Sequence, residues 1–264
     1  MTHLIGNADM KVASVFVGLL LLFSTAHAQS MPTTVPPGIT WYWQLSGKVI
    51  ATHNTASLYD IDLEGSSATL IRRLQAAGNV VICYFSAGSY EPWRSDAAQF
   101  PKAAIGKKLV GWPEHYVDIR DRSVRQIMQA RIDNAKDKGC NGFEPDVLDA
   151  FTNQSGFPIT KQDELDYILF LAKEGHARNL LVALKNDPAL VSDVVNYLDF
   201  AIAEECFEQE ECSSYSPFVF QNKAVLAAEY SAFSAKKCAK AKQLGLSLVF
   251  YNLGLNGRKY EPCP

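Results

Sequence analysis

Short apolar runs alternate with amphipathic segments along most of the chain, and this pattern predicts repeated strand and helix units. We expect eight strands, at residues 58–63, 80–85, 116–119, 142–146, 180–184, 200–204, 224–229 and 246–251. Eight such units in one chain of this length favour a closed barrel over an open doubly wound sheet. The predicted fold class is therefore α/β, a single-domain (β/α)8 TIM barrel. No G-x-G-x-x-G motif follows the first predicted strand, which disfavours a Rossmann domain.

Residues that begin and end helices lie between the predicted strands. The segments 66–77, 123–138 and 231–244 are followed by Gly78, Gly139 and Gly245, and glycine is a common helix end signal. Thr160 and Asp163 resemble a capping box at the start of 164–177, and Asp187-Pro188 is expected to open another helix. Helices are therefore expected on the outside of the barrel.

The N-terminal segment has the pattern of a secretory signal peptide. Met10-Lys11 precedes the apolar run VASVFVGLLLLF, and Ala26-His27-Ala28 has the small-x-small pattern of a cleavage site. The apolar run is about a dozen residues long, short of the roughly 20 that cross a bilayer. We predict a signal peptide at 1–28, cleavage after Ala28, a secreted or extracytoplasmic protein and no membrane span.

Composition adds few constraints on the mature chain. The formal net charge is −3 and basic residues are dispersed, so no nucleic-acid partner is expected. No Gly/Ser linker, charge block or low-complexity tract marks a boundary, so one domain is expected at 29–264, and we expect a monomer.

All six cysteines lie in the predicted mature part, and an even number in an exported protein favours disulfides. We expect Cys206 to pair with Cys212, and Cys238 with Cys263. Cys83 lies in an apolar run, and two possibilities are open for it: a buried free thiol or a bridge to Cys140. No C-x-x-C spacing exists and the histidines have no ligand-like spacing, so neither a metal ion nor another cofactor is expected.

Polar side chains end every predicted strand, at the edge where barrel enzymes place their active sites. They are Asp60, Asp62, Ser86, Asp118, Glu144, Asp146, Lys185, Asn186, Glu204, Glu229, Tyr251 and Asn252. Carboxyl groups held close together raise one another's pKa, so one stays protonated while its neighbour is ionised. A glycosidase needs such a pair, about 5 Å apart for retention and roughly 6.5 to 9.5 Å apart for inversion.

The segment GFEPDVLDAF, at 142–151, concentrates three of these acids. Period-two alternation places Glu144 and Asp146 on the same face of a strand, and in a barrel this face can point into the mouth. Asp149 lies beyond the strand and is interpreted as a substrate or supporting contact. Tyr84 and Tyr251 lie inside predicted strands. Two roles are possible for each of them, filling the barrel interior or contacting the substrate.

Other catalytic classes fit the sequence less well. Ser86 lies in FSAGS rather than in G-x-S-x-G, which disfavours a serine hydrolase. A Schiff-base role for Lys185 is less favoured than a paired or substrate-binding lysine. A metal-dependent phosphodiesterase would also gather carboxylates on a barrel mouth, but it usually needs more basic residues and a histidine acid/base.

The chain resembles glycoside hydrolase family 114, the endo-α-1,4-polygalactosaminidases, from Trp43 to Tyr251. The matching segments are VICYFSAGSYEPWRSD (81–96), Gly111-Trp112, 116–120, Arg131, KGCNGFEPDVLDAF (138–151), SGFPIT (155–160), LKN (184–186), FAIAEECFEQEEC (200–212) and KAVLAAEY (223–230). The resemblance implies a (β/α)8 barrel that cleaves α-1,4-linked galactosamine polymers with an Asp and a Glu. These fall on Asp146, expected as the nucleophile of a retaining mechanism, and Glu204, expected as the general acid/base.

The expected substrate is a galactosamine-rich polysaccharide, and its free amines are cationic. An acidic cleft would attract this polymer and bind its ammonium groups. The expected substrate-binding residues are Asp60, Tyr84, Ser86, Asp118, Glu144, Asp149, Lys185, Asn186, Glu229 and Tyr251.

Two positions depart from the family pattern. Val147 stands where the family often has Asn in E-P-D-N, and Ala203 where it often has Asn in N-E-Q-C. Glu205 follows Glu204 directly and is an alternative candidate for the catalytic glutamate. These departures motivate a second hypothesis, a barrel that binds an amino-sugar polymer without cleaving it.

Overall fold

The computed structural model of the protein describes residues 1–3, 34–49 and 56–264, and the architecture below lies within the unit Met31–Pro264. The strands of the described residues are β1 Trp41–Gln44, β2 Leu58–Asp62, β3 Val80–Ser86, β4 Ser89–Tyr90, β5 Ile105–Lys108, β6 His115–Val117, β7 Gly142–Asp146, β8 Leu181–Lys185, β9 Phe200–Glu204, β10 Val225–Glu229, β11 Ser247–Tyr251 and β12 Tyr260–Pro262. The helices are α1 Ala68–Ala76, α2 Arg122–Lys138, α3 Lys161–Ala177, α4 Val191–Val194, α5 Ser216–Phe220 and α6 Ala235–Leu244.

Eight parallel strands form the barrel, in the order β1-β2-β3-β7-β8-β9-β10-β11, and β12 pairs antiparallel with β11. Side chains connect the first and last of the eight. Trp41 Nε1 donates to the carbonyl of Ser247 at 2.9 Å, and the hydroxyl of Tyr251 accepts the N–H of Trp43 at 3.0 Å. The sheet is therefore nearly closed, and helices lie between strands as the sequence predicts for a (β/α)8 TIM barrel.

One of the eight predicted barrel strands is wrong. The segment predicted at 116–119 forms β6, which pairs antiparallel with β4 and β5 in a separate three-stranded sheet. The strand missing from the prediction is β1, of sequence WYWQ, which pairs in parallel with β2. A strand-like pattern shows that a segment is extended, but it does not show which sheet the segment joins.

Alternation along the strands separates two cores. One is the barrel interior, where Trp43, Ile82, Phe200 and Val249 are buried. The other fills the space between the sheet and the helices, with residues such as Phe143. Because side chains alternate between faces, the even-numbered residues of β7 and β9 point into the barrel. This places the last residues of those strands, Asp146 and Glu204, on the interior face at its carboxyl end.

Helix ends largely follow the predicted signals. The Thr160 hydroxyl and the Asp163 carboxylate form a reciprocal capping box at the start of α3. Gly139 ends α2 with φ 90°, a left-handed conformation that residues with a Cβ rarely adopt. The predicted helix start at 231 is early, because Ser234 caps the first turn of α6. The helix predicted to open at Asp187-Pro188 is only the four-residue α4.

Three disulfides join the six cysteines: Cys206–Cys212, Cys238–Cys263 and Cys83–Cys140. The first two pairs were predicted. The third shows that Cys83 forms a bridge to Cys140 and is not a free thiol. No helix in the described part of the chain has the length and apolar character of a membrane span. Apart from its first three residues, the predicted signal peptide and its cleavage site lie outside the described residues.

Candidate active site

A cavity of about 960 Å³ opens where the carboxyl ends of the barrel strands meet. Its walls include eight carboxylates and two cationic side chains, Lys185 and Arg94. The eight acids are Glu91, Glu114, Asp146, Asp149, Asp187, Glu204, Glu205 and Glu211. Arg94 is already neutralised by ion pairs with Glu91 and Asp62, at 2.8 and 2.6 Å. The cavity therefore has a strong excess of acidic groups.

Lys185 lies at the end of β8, almost fully buried, and its ammonium contacts three carboxylates. Nζ is 3.0 Å from Asp146 Oδ1, 2.9 Å from Glu204 Oε2 and 3.0 Å from Glu144 Oε1. It also lies 5.0 Å from the ring centroid of Trp43. A buried ammonium with these neighbours stays charged, because burial lowers the pKa of Lys185 but the three carboxylates raise it well above its ordinary value. Lys185 thereby connects strands β7, β8 and β9 at one point.

Asp146 is held in place by contacts on both carboxylate oxygens. Its Oδ1 accepts from Lys185 and its Oδ2 accepts from the Tyr84 hydroxyl, both at 3.0 Å. Burial raises the pKa of Asp146, but Lys185 and the Val147 N–H outweigh it, so the pKa lies below its usual value. Asp146 is therefore ionised at neutral pH.

The backbone of Asp146 is fixed as well. Its carbonyl accepts the N–H groups of Ala87 and Gly88, at 2.8 and 3.0 Å. Gly88 is required at this contact, because a Cβ there would lie 1.7 Å from the carbonyl oxygen of Val147. The loop after β3 thus sets the position of the end of β7.

Glu204 receives three polar contacts. Oε2 accepts from Asn186 Nδ2 at 3.1 Å and lies beside Lys185, while Oε1 accepts the hydroxyl of Tyr230. The Glu204 N–H donates to Asn186 Oδ1 at 2.8 Å, so Asn186 binds both the backbone and the side chain of Glu204. The side chain remains 24% exposed towards the cavity. Glu204 is therefore both oriented and accessible.

Glu144 and Asp60 lie beneath this pair, and neither borders the cavity. Glu144 Oε2 accepts the indole N–H of Trp43 at 3.0 Å, and Oε1 faces Lys185. Burial, followed by the nearby Glu144, raises the pKa of Asp60 well above its usual value. Of these two predicted substrate-binding residues, Glu144 instead contacts Lys185.

The other predicted site residues divide into two groups. Tyr84, Asp149, Lys185 and Asn186 border the cavity with Asp146 and Glu204. Ser86, Asp118, Glu229 and Tyr251 do not border it.

Each of these four side chains has another partner. The Ser86 hydroxyl shares a hydrogen bond with Ser89, and Asp118 forms an ion pair with Arg120 after β6. Glu229 occupies an odd-numbered position of β10, on the face of the strand towards the helices. There it forms an ion pair with Lys237 of α6 at 2.6 Å. The hydroxyl of Tyr251 accepts the N–H of Trp43 inside the barrel. A position at a strand end therefore does not by itself bring a side chain into the cavity.

Several cavity residues were not among the predicted site residues. Trp43 comes from β1, the strand that the hydrophobic pattern did not reveal. Tyr230 follows β10 and contacts Glu204 directly, and the sequence pointed to it only as part of the segment 223–230 that resembles the family. Asp187 borders the cavity although the sequence placed it at a helix start. Asp187 directly follows the predicted strand-end residues Lys185 and Asn186, so its charge and position were the signals that could have found it.

The two departures from the family pattern have different surroundings. Ala203 is fully buried in the core between the sheet and the helices, so its side chain does not face the cavity. Val147 borders the cavity and has a positive φ of 61°. Glu205 also borders the cavity, but it lacks the contacts with Lys185 and Asn186 that hold Glu204. Of the two departures, only Val147 is placed to alter a substrate contact.

Comparison with known proteins identifies the family of the chain. The model of glycoside-hydrolase family GH114 matches residues 24–263. The chain belongs to glycoside hydrolase family 114. The resemblance seen in the residues is thereby confirmed, and the protein is a glycoside hydrolase.

Solved structures extend the comparison. The chain is 36% identical to Ega3 from Aspergillus fumigatus, solved in complex with galactosamine, with a TM-score of 0.83 over 89% of this chain and 98% of that one. The glycoside hydrolase domain of PelA from Pseudomonas aeruginosa is 11% identical, with a TM-score of 0.65 over 84% of this chain and 98% of that domain, and shares the fold. No curated protein sequence gave a significant match.

Proposed function

We propose that this family 114 enzyme is a secreted endo-glycosidase that hydrolyses an α-1,4-linked, galactosamine-containing polysaccharide with retention. Asp146 acts as the nucleophile and Glu204 as the general acid/base. The proposal is supported by family membership, by the likeness to Ega3, which was solved with galactosamine, and by the acidic cavity.

The observation that carries the proposal is the shared contact of two carboxylates with one ammonium. Lys185 Nζ lies 3.0 Å from Asp146 Oδ1 and 2.9 Å from Glu204 Oε2, so those two oxygens are at most the sum of these distances, 5.9 Å, apart. Retaining glycosidases place their carboxyl groups about 5 to 5.5 Å apart, and inverting enzymes roughly 6.5 to 9.5 Å apart. A separation within this bound is compatible with the retaining arrangement that we propose.

We assign the two acids different roles. Asp146 is ionised, as an attacking carboxylate must be. It forms a bond to the anomeric carbon while Glu204 gives its proton to the departing glycosidic oxygen. Glu204 then removes a proton from water, the water oxygen bonds to the anomeric carbon, and the bond to Asp146 breaks. Tyr230 and Asn186 hold Glu204 in one orientation through both steps.

The cavity walls suit a cationic sugar chain. The acidic groups of the wall attract a polymer that carries ammonium groups, and they give no such advantage to a neutral or acidic glycan. Trp93 and Trp112 border the same cavity and are about half exposed, which leaves their faces free to stack on sugar rings.

The test is release of reducing ends from α-1,4-linked galactosamine oligomers. Wild-type protein should release them, and Asp146→Asn and Glu204→Gln should each lower the rate by about 10²- to 10⁴-fold. Asp166→Asn is the matched control, since Asp166 is exposed on α3 and should leave the rate unchanged. Proton NMR of the first product should show the α-anomer before mutarotation.

Four results would contradict the proposal. Full activity in both variants would remove these residues from the chemistry, and a first product of inverted configuration would exclude retention. Binding of the oligomers without any release of reducing ends would instead indicate a non-catalytic polymer-binding barrel. Loss of activity on chelation would point to the metal-dependent phosphodiesterase alternative.

A further inference from the structure

Three carboxyl groups form a second acidic cluster at one wall of the cavity. Asp149 and Asp187 border the cavity, and Glu164 of α3 is fully buried. Burial, followed by Asp149, raises the pKa of Asp187 to about 7. Burial, followed by Asp187 and Asp149, raises the pKa of Glu164 to about 8. The three groups are thus close enough to act on one another, and the mechanism proposed above does not use them.

Asp187 is 4% exposed, and its Oδ2 finds no hydrogen-bond partner within the described part of the chain. Glu164 Oε1 is unpartnered in the same sense, while Oε2 accepts the N–H of Phe151 at 3.3 Å. A buried carboxylate without a partner costs free energy. A cation bound at this point would relieve that cost.

Nearby cations do not fill this role. Lys161, whose charge acts on Asp187, is 55% exposed and forms its ion pair with Asp193 at 2.9 Å. Lys185 forms its contacts with Glu144, Asp146 and Glu204 instead. The described residues contain no group of three or more His, Cys, Asp or Glu side chains arranged to hold a metal ion. The chemistry of the cluster fits a single organic cation.

We propose that Asp187, supported by Asp149 and Glu164, binds the ammonium group of one amino-sugar unit and so selects for a free amine over an N-acetyl group. This inference deepens the proposed function and rests on it for the identity of the polymer. An ammonium offers three donors and a positive charge to the cluster, whereas an acetamide is neutral and offers one donor. The backbone directs Asp187 here through positive φ at both Asn186 and Asp187, 51° and 53°.

The test compares free-amine with N-acetylated α-1,4-galactosamine oligomers of equal length. In wild-type protein kcat/KM should be higher for the free-amine oligomer. Asp187→Asn should lower it for that substrate by about 10- to 100-fold, the range of a lost hydrogen bond to a charged group, mainly through KM. Its kcat/KM for the N-acetylated oligomer should stay unchanged or rise. The control Asp166→Asn removes an exposed carboxylate from α3 and should preserve the wild-type preference.

A second readout separates this inference from the proposed function. Binding of the same oligomers to Glu204→Gln is measured by calorimetry, with and without Asp187→Asn. If wild-type protein cleaves nothing but Asp187 still decides amine binding, the function fails and the inference stands. If cleavage occurs and Asp187→Asn keeps the wild-type preference, the inference is wrong. Absence of binding to either oligomer contradicts both.

Thermal unfolding checks that Asp187→Asn is folded. Since Asp187 Oδ2 has no partner in the described residues, its replacement by Asn should leave Tm unchanged or raise it at pH 8. A large fall in Tm would show that Asp187 has a structural role and would overturn the inference.

Discussion

Lys185 Nζ donates to Asp146 Oδ1 across 3.0 Å, between the ends of two adjacent strands, β8 and β7. The same ammonium lies beside Glu204, so one buried cation fixes the relative position of both carboxylates. Below it, Glu144 contributes a third carboxyl group and accepts the indole N–H of Trp43. Lys185 is therefore a positioning residue, and its charge also keeps Asp146 ionised.

Replacing Lys185 by Met tests this role. Without the ammonium, burial is left to raise the pKa of Asp146, so the acidic limb of the activity profile should move up by about 1 to 3 pH units. We also expect kcat/KM at neutral pH to fall by at least about tenfold, because the two carboxylates lose their common partner. The measurement is the pH dependence of kcat/KM on galactosamine oligomers.

Lys237→Met is the matched control for Lys185→Met. Lys237 also forms an ion pair with a fully buried acid, Glu229, but this pair lies on the helix side of β10 and does not border the cavity. This control should lose stability and keep the wild-type acidic limb. If both variants shift the limb equally, the effect of Lys185 is one of folding and not of local charge.

Tyr230→Phe tests the hydrogen bond to Glu204. The change removes one hydroxyl and keeps the ring, so the walls of the cavity keep their shape. Loss of a hydrogen bond to a charged group should lower kcat by about 10- to 100-fold, with a smaller change in KM. Tyr197→Phe, at a tyrosine that is 53% exposed, should behave as wild type. An unchanged kcat for Tyr230→Phe would mean that Asn186 and Lys185 suffice to orient Glu204.

The sequence predicted the barrel and the acidic strand ends because both depend on local patterns. Asp146 and Glu204 end apolar runs, and their even positions share a face with buried neighbours. The prediction was wrong for the segment 116–119 because sheet membership depends on distant pairing partners, and β1 went unrecognised for the same reason.

The direction of side chains was a second property that the sequence did not predict. Glu229 ends a barrel strand just as Glu204 does, yet it occupies the opposite phase of the alternation and pairs with Lys237. Asp187 follows β8 at positive φ, a conformation that its sequence context did not reveal. Contacts such as those of Tyr230 arise only when separate loops meet over the barrel.

The three disulfides should differ in their effect on stability. The Cys83–Cys140 bridge spans 57 residues, and Cys206–Cys212 spans six. Because loop-closure entropy grows with the length enclosed, replacing both cysteines by Ala should cost about 4 kcal/mol for the first pair and about 2 kcal/mol for the second. Urea unfolding of the two double variants checks this order. A larger loss for the six-residue loop would show that native-state packing, and not chain entropy, determines the effect.

The stability of the protein should depend on pH through Glu164. Its pKa is about 8 in the folded protein, raised by burial, Asp187 and Asp149, against 4.5 ordinarily. Between these values the folded state holds a proton that the unfolded state has released, so the free energy of unfolding falls as pH rises from about 4.5 to 8, by up to about 1.4 kcal/mol per pH unit. Glu164→Gln removes this titration while keeping an acceptor for the Phe151 N–H. Its unfolding free energy should therefore exceed that of wild type at pH 8, with the difference shrinking towards pH 4.5.

Asp96 is a control for Glu164, because its titration changes the free energy of unfolding with pH in the opposite direction. Burial raises its pKa, but hydrogen bonds and charge from Arg131 outweigh burial and leave the pKa below 3.8. Its contribution is present at neutral pH and is lost as pH falls through the folded pKa, so Asp96→Asn should be destabilising at pH 7 and less so near pH 3. Chemical unfolding at several pH values measures both variants. If Glu164→Gln follows the wild-type curve at every pH, Glu164 has the same pKa in the folded and unfolded states, so it is ionised above its ordinary pKa and the acidic cluster around Asp187 carries more charge than its burial implies.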